Sequence, residues 1–271
     1  MAADARRCVR TSGQAYDVIV ADNFHPARSG SGALYTVEYF HAVQGRLAAG
    51  GLFCQGLPLH QLDSPTLRSI VRSFLAVYPG GTAVLASNSL DTPVLGLLGQ
   101  RDAQHLHPAQ VRARLAGAAW PKRPAAYGFE DEYALLGSYV AGPAALAAFA
   151  AFAGDAPANT DDHPVVAYRA PRITNAPDSR PRDRLLALLE AFSIAPEEVI
   201  VPGALADTGQ RLAAYWAARK RFIEAGRGVR PSGDVQAMLA QVRLPLLAVL
   251  RQSPDFRPAY DPLLRMASAS R

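Results

Sequence analysis

Hydrophobic and polar positions follow two different periods along the chain. Short unbroken runs of apolar, often β-branched residues predict buried strands, and apolar residues repeated every three or four positions predict helices packed on a core. Strands are expected at residues 16–21, 51–56, 82–87, 94–98 and 164–168. Helices are expected at residues 34–48, 64–77, 108–118 and 142–153. This alternation of strands and helices predicts an α/β sheet.

The pattern is purely helical in the last third of the chain. Helices are expected there at residues 183–193, 204–225, 234–251 and 258–268. Pro245 should kink or interrupt the third of them, because it has no amide hydrogen and its ring clashes with the preceding turn. Aromatic residues one turn apart in residues 213–226 weakly indicate helix-hairpin repeats. Residues 171–184, rich in proline and arginine, are expected to link an α/β domain at 1–170 to a helical region at 185–271.

The segment from Tyr16 to Pro26 carries the clearest chemical signal. The apolar run 18–20 stops just before Asp22, and His25 then belongs to a polar turn that cannot continue the strand. A carboxylate thereby reaches the carboxyl end of a buried strand, which is the edge where open α/β sheets bind ligands. In the structural alternative, Asp22 only caps the helix that follows its loop.

The block YDVIVADNFHP, continued by LYTVEYFHAVQGRLAAGGLFCQGLPLHQLD, resembles the second half of a spermidine synthase-like domain. NTDDHPVVAY, residues 159–168, resembles a stretch of a bacterial branch whose synthase domain is fused to membrane helices. The family transfers an aminopropyl group from decarboxylated S-adenosylmethionine to an amine and uses no prosthetic group. The resemblance implies a partial doubly wound, methyltransferase-like Rossmann sheet, followed here by an all-α, repeat-like C-terminal region.

The resemblance also implies roles for individual residues. Asp22 matches the catalytic acid of the family, and Asp4 matches an acid that contacts the adenine edge of the nucleotide. His25 stands where a second, amine-binding Asp is usual, and Gln55 matches a Gln of the amine pocket. Tyr35 is expected to form a wall of that pocket.

Purely structural interpretations of these residues are also open. His25 could pack within its loop, and Gln55 could satisfy the backbone of a neighbouring strand. Asp161, Asp162 and His163 could be an acid/base cluster, although Asn-Thr-Asp-Asp before His-Pro is also typical of a self-capped turn.

The sequence lacks the G-x-G-x-x-G turn that binds the nucleotide in such sheets. We therefore expect the chain to look truncated at its N-terminal side and to be incomplete and inactive by itself. A sheet that starts midway leaves an apolar edge exposed, which predicts self-association or a homodimer.

The composition of the chain bears on which classes of partner and which cellular setting are expected. The net charge is +5, and only two of the 28 basic residues, Lys122 and Lys220, are lysines, so an arginine-rich bias rather than nucleic-acid binding is indicated. Cys8 and Cys54 are far apart, which indicates neither a disulfide framework nor a metal site, and a reduced, cytoplasmic setting is expected. The apolar stretch near residues 140–154 is too short to span a bilayer.

Three function classes follow. The first is an aminopropyltransferase acting on a small-molecule amine. The second is a non-catalytic interaction module. The third is another S-adenosylmethionine-dependent enzyme on the methyltransferase fold.

Overall fold

A computed structural model describes residues 5–22, 25–87, 89–101, 105–117, 120–151, 156–175, 177 and 179–269. The chain divides into two compact units. The first unit consists of Met1–Gln104 and Val140–Ser193, and the second consists of His105–Tyr139 and Ile194–Arg271. This division differs from the predicted one, because the segment at 105–139 packs with the C-terminal helices rather than with the sheet.

Within the described residues, the sheet contains five strands in the order β1-β2-β4-β3-β5. Their bounds are β1 Tyr16–Ala21, β2 Leu47–Pro58, β3 Thr82–Ser87, β4 Val94–Gln100 and β5 Tyr139–Ala141. β1 and β2 are parallel neighbours, whereas β4 lies antiparallel to both β2 and β3. The α/β fold is therefore as the sequence predicts, and its first two strands pair in parallel.

Six α-helices belong to the first unit within the part of the chain that the structure describes. They are α1 Ala5–Thr11, α2 Val37–Gln44, α3 Ser64–Leu75, α6 Pro143–Ala151, α7 Val165–Asn175 and α8 Pro181–Ala191. α2 and α3 begin where side chains cap them: Thr36 accepts from the Tyr39 amide, and Asp63 accepts from the Thr66 amide.

One face of the sheet is buried against α2 and α3 by an aromatic cluster. Phe53 of β2 lies 6.0 Å from Phe40 and 6.2 Å from Phe74, measured between ring centroids. Tyr78 completes the cluster at 5.8 Å from Phe53. Since Gln55 is two residues beyond Phe53 on the same strand, its side chain lies on this buried face.

The second unit is helical. Its helices are α4 Pro108–Ala116, α5 Glu132–Leu136, α9 Gln210–Arg227, α10 Val235–Gln252 and α11 Tyr260–Ala269. Its core packs Tyr215, Trp216 and Phe256. Arg219 is also buried there and donates from Nη1 to the carbonyls of Gly137 and Tyr139. Burial lowers the pKa of Arg219 to about 10 against a smaller opposing effect of Tyr215.

Three expectations about elements need correction. The strand expected at 164–168 is wrong, because α7 begins at Val165, where the Val166 amide donates to the buried Asn159 side chain. Pro245 does not interrupt α10, which runs through it from Val235 to Gln252, since Pro245 is exposed and the carbonyl that loses its helical bond can be solvated; the expected kink stays a prediction. Much of the expected linker at 171–184 is helical, as it contains the end of α7 and the start of α8.

Candidate active site at the end of the first strand

Asp22 stands directly beyond the carboxyl end of β1 and is exposed. The preceding residue, Ala21, is buried and pairs with Gln55 of β2. The carboxylate acts on Cys54: burial raises the pKa of that thiol most, and the negative charge of Asp22 raises it further. Asp22 therefore lies beside the C-terminal part of β2, the strand that pairs with β1.

The capping alternative for Asp22 does not fit the elements that follow it. The next helical turn, Ser31–Tyr35, is a 3-10 helix with Gly30 at its N-cap, at a φ of 82°. The next α-helix, α2, is capped by Thr36. Asp22 is thus not the N-cap residue of either of these two helices.

Gln55 is completely buried, with no accessible surface. Its Nε2 donates to the carbonyl of Gly56 at 3.1 Å. Its Oε1 has no hydrogen-bond partner among the described residues. A buried carbonyl oxygen without a donor costs about 1–3 kcal/mol, and such an atom calls for a functional or structural explanation.

His25 is exposed on the loop after β1, and its carbonyl accepts from the Arg28 amide at 3.0 Å. The neighbouring residues 23 and 24 lie outside the described residues, as does Asp4, so the expected contact of Asp4 with a nucleotide stays a prediction. His25 is close enough to His60 for its charge to act on that imidazole.

Tyr35 lies in the core of the first unit rather than on an exposed wall. It is fully buried at the end of the 3-10 helix. Burial, followed by the neighbouring Tyr39, raises the pKa of its phenol. The phenol therefore stays protonated at neutral pH.

The sequence interpretation missed His60, Gln61 and Arg184. His60 and Gln61 belong to a 3-10 helix, Leu59–Gln61, directly after β2, and their side-chain Nε2 atoms lie 2.9 Å apart. Arg184 donates from Nη2 to the His60 carbonyl at 2.9 Å. The polar residues His60 and Gln61 directly after an apolar strand could have indicated a site from the sequence. No neighbouring residue indicates Arg184, because it lies 124 positions away from His60.

The stretch at 159–168 has a structural role that favours the turn interpretation. The Thr160 amide donates to the His163 carbonyl, and the His163 amide donates to Thr160 Oγ1. The carboxylate of Asp161 forms ion pairs with the guanidinium groups of Arg6 and Arg10. Burial acts to raise the pKa of Asp161, but the hydrogen bonds and charges of its partners outweigh burial and lower it.

The described residues contain no group of three or more His, Cys, Asp or Glu that could hold a metal ion. None of their helices is both long enough and apolar enough to cross a membrane.

A pocket of about 370 Å³ adjoins the 3-10 helix after β2 and is lined by Leu59, Asp63, Arg68, Asp183 and Arg184, among others.

Two known proteins are similar to parts of the chain. No family model matches the chain. The chain is similar to polyamine aminopropyltransferase 2 of Hyperthermus butylicus, with 32% identity over 129 residues that cover 41% of this chain and 41% of that protein. The chain thus spans less than half of that relative's length. It is also similar to the solved structure of a probable spermidine synthase from Corynebacterium glutamicum, with 20% identity and a TM-score of 0.38, covering 59% of this chain and 53% of that one.

Proposed function

We propose that this chain, a member of a spermidine synthase-like family, supplies the acceptor-amine side of an aminopropyl-transfer site. The observation that carries the proposal is the carboxylate of Asp22 at the end of β1, exposed and without a capping role. Asp22 is the base. Gln55 and His25 orient the amine, and the donor is decarboxylated S-adenosylmethionine, which acts as a co-substrate.

The reaction needs a base because the acceptor must attack as a neutral amine. Alkylamines resemble lysine, whose pKa is about 10.4, so at neutral pH they are almost entirely protonated. A carboxylate within hydrogen-bond reach holds the amine and accepts its proton as attack proceeds. Asp22 is the described carboxylate that the loop after β1 brings to this edge of the sheet.

The step balances without a metal or a redox partner. The amine lone pair forms a C–N bond to the aminopropyl carbon attached to the sulfonium, and the C–S bond breaks. The sulfur takes that electron pair and becomes a neutral thioether, while the nitrogen releases a proton to Asp22. Because the sulfonium is already a good leaving group, positioning and proton removal are what the protein must contribute.

Gln55 Oε1 supports an amine position next to Asp22. An amine N–H would give this buried oxygen the donor that it lacks among the described residues. The amide would then fix the direction of the nitrogen lone pair, while Asp22 takes the proton.

Two further parts of the proposal concern the whole molecule. We expect residues 1–271 to bind the amine without transferring the aminopropyl group, because their sequence contains no glycine-rich turn for the nucleotide. We also expect the chain to self-associate through the edge of β1, where Val18 and Val20 are exposed.

A calorimetric titration with butylamine tests the proposed function. Asp22→Asn should weaken binding roughly ten- to a hundredfold, since hydrogen bonds to a charged group are worth about 1.5–3 kcal/mol. Asp17→Asn is the matched control, because Asp17 is exposed on the same strand but near its other end. Equal affinities of the wild type and Asp22→Asn, or an equal loss in Asp17→Asn, would contradict the assignment.

A further inference from the structure

The helical second unit has a largely apolar groove on its surface, between α10 and α11. The groove has a volume of about 430 Å³. It is lined by Gln236, Ala240, Arg243 and Leu247 of α10 and by Leu263 and Ala267 of α11, among others. The four residues of α10 recur every three or four positions, so they form one stripe that spans about 16 Å, or three helical turns.

Two leucines beside the groove are exposed. Leu244 is 77% exposed, and Leu264 is 63% exposed. Leu244 follows Ala240 by one helical turn, and Leu264 precedes Ala267 by one turn, so each leucine flanks the groove. Apolar side chains that gather around a concave surface mark a site for another molecule, whereas scattered ones need no explanation.

The charge on the α10 side of the groove is positive. α10 contains Arg243 and Arg251 but no aspartate or glutamate. Arg243 lines the groove, and Arg251 follows Leu247 by one turn on the same stripe; both arginines are exposed. Neither side chain has an ion-pair partner among the described residues.

The aspartates of residues 228–271 do not neutralise this charge. They are Asp234, Asp255 and Asp261, and none of them lines the groove. Asp234 caps α10 by accepting from the Gln236 amide, and Asp255 pairs with Arg211. Asp261 belongs to the first turn of α11, at the opposite end from Ala267.

Shape and charge together decide among the possible occupants. A second copy of the chain would bring its own arginines toward those of the first, and like charges across an interface weaken binding. A bilayer surface takes up a protruding apolar face rather than a groove between two helices. A groove between helices fits the apolar face of an amphipathic helix.

We propose that this groove binds an amphipathic helix of a partner protein, with acidic residues flanking its apolar face. The apolar side chains of that helix fill the groove beside Ala240 and Leu247. Its carboxylates pair with Arg243 and Arg251, whose guanidinium groups match carboxylate oxygens with two parallel N–H donors. The groove lies wholly within the second unit, so the proposal does not depend on the site at Asp22.

Three peptides of about 18 residues test the proposal, each labelled with fluorescein and titrated with the full chain by fluorescence anisotropy. The first consists of leucine, glutamate and alanine, with leucine at every third or fourth position. The second has lysine in place of each glutamate, and the third has the composition of the first with its leucines spread over all faces. The first peptide should bind roughly tenfold more tightly than either of the others. The proposal is overturned if the first peptide does not bind or binds no more tightly than the others.

Variants assign the preference to the groove. Arg243→Glu should abolish the preference for the acidic over the basic peptide. Arg221→Glu, at an exposed residue of α9 that does not line the groove, is the matched control and should behave as the wild type. Ala240→Glu, at an exposed helical position, should weaken binding of the acidic peptide by placing a carboxylate in the groove. An unchanged preference in Arg243→Glu, or an equal change in Arg221→Glu, would overturn the proposal.

Two further measurements test the other occupants. Sedimentation with vesicles of phosphatidylcholine and phosphatidylglycerol tests a bilayer, and light scattering of the wild type and Ala240→Glu tests a second copy. We expect Ala240→Glu to leave the mass of the chain in solution unchanged and to lose no more vesicle binding than Arg221→Glu. Vesicle binding that is lost in Ala240→Glu but kept in Arg221→Glu, or a lower mass of Ala240→Glu, would overturn the proposal.

Discussion

At the scale of single residues, the half-buried side chain of Gln44 and the fully buried side chain of Gln55 contrast. Gln44 donates from Nε2 to the Val77 carbonyl at 2.9 Å and so ties the end of α2 to the segment after α3. Gln55 donates only to the carbonyl of the adjacent residue, and its Oε1 has no hydrogen-bond partner in the described part of the chain. Gln44 thus has a structural explanation, whereas Gln55 is explained by the amine in our proposal.

Gln55→Leu should separate stability from binding. Removing an unsatisfied buried amide in favour of an apolar side chain of similar size is expected to raise the unfolding free energy by about 1 kcal/mol. The affinity for butylamine should fall several-fold, because the nitrogen loses an acceptor. Urea denaturation and calorimetry measure the two effects.

Gln44→Leu is the control for this change. It should lower stability by about 1 kcal/mol, because the Val77 carbonyl loses its donor, and leave amine affinity unchanged. A destabilised Gln55→Leu variant with unaltered butylamine binding would show that Gln55 has a structural role only.

At the scale of elements, Asn159 joins three segments of the first unit. Its Nδ2 donates to the Gly32 carbonyl at 3.0 Å, and its Oδ1 accepts from the Val166 amide at 3.1 Å. Its own amide donates to Ser73 Oγ of α3. A side chain at position 32 would be crowded, because an added Cβ at Gly32 would lie 3.0–3.1 Å from atoms of Ala167. Asn159 thereby fixes the 3-10 helix after the loop of Asp22.

Asn159→Ala is expected to lower the unfolding free energy by about 2–4 kcal/mol, because a buried carbonyl and a buried amide both lose their partners. Thermal unfolding followed by circular dichroism measures the loss. Asn175→Ala, at the exposed end of α7, should have little effect. Similar melting of Asn159→Ala and the wild type would refute this role.

The sequence predicts a structural feature well when neighbouring residues determine that feature, and poorly when contacts between distant residues determine it. β1 and β3 have the predicted bounds, because short apolar runs ended by polar residues define a strand locally. The segment at 164–168 was predicted wrongly, since its β-branched valines favour a strand while Asn159 and the buried surroundings favour a helix. The contact between Arg184 and His60 joins residues 124 positions apart, which no pattern in one sequence reveals.

At the scale of the whole molecule, the edge strand β1 has an apolar surface. Val18 is 57% exposed and Val20 is 66% exposed. A shallow pocket of about 280 Å³ runs beside them and is lined by Cys8, Val9 and Tyr16, among others. An exposed apolar edge strand offers both backbone hydrogen bonds and apolar area to another strand.

We expect the chain to self-associate through this edge at micromolar concentration. The double variant Val18→Lys, Val20→Lys should shift the population to monomer, because charged side chains oppose edge pairing. Size-exclusion chromatography with light scattering measures the mass of each species. Val235→Lys, at a residue of α10 that is 56% exposed, is the matched control and should behave as the wild type. A monodisperse wild-type monomer would refute the expectation.

The central claim is that an amine binds at Asp22. A crystal structure of the chain soaked with butylamine tests this claim most directly. We predict that the nitrogen lies about 2.7–3.2 Å from a carboxylate oxygen of Asp22, with Gln55 Oε1 as its second acceptor. Butylamine bound elsewhere, with Asp22 and Gln55 unengaged, would contradict the account.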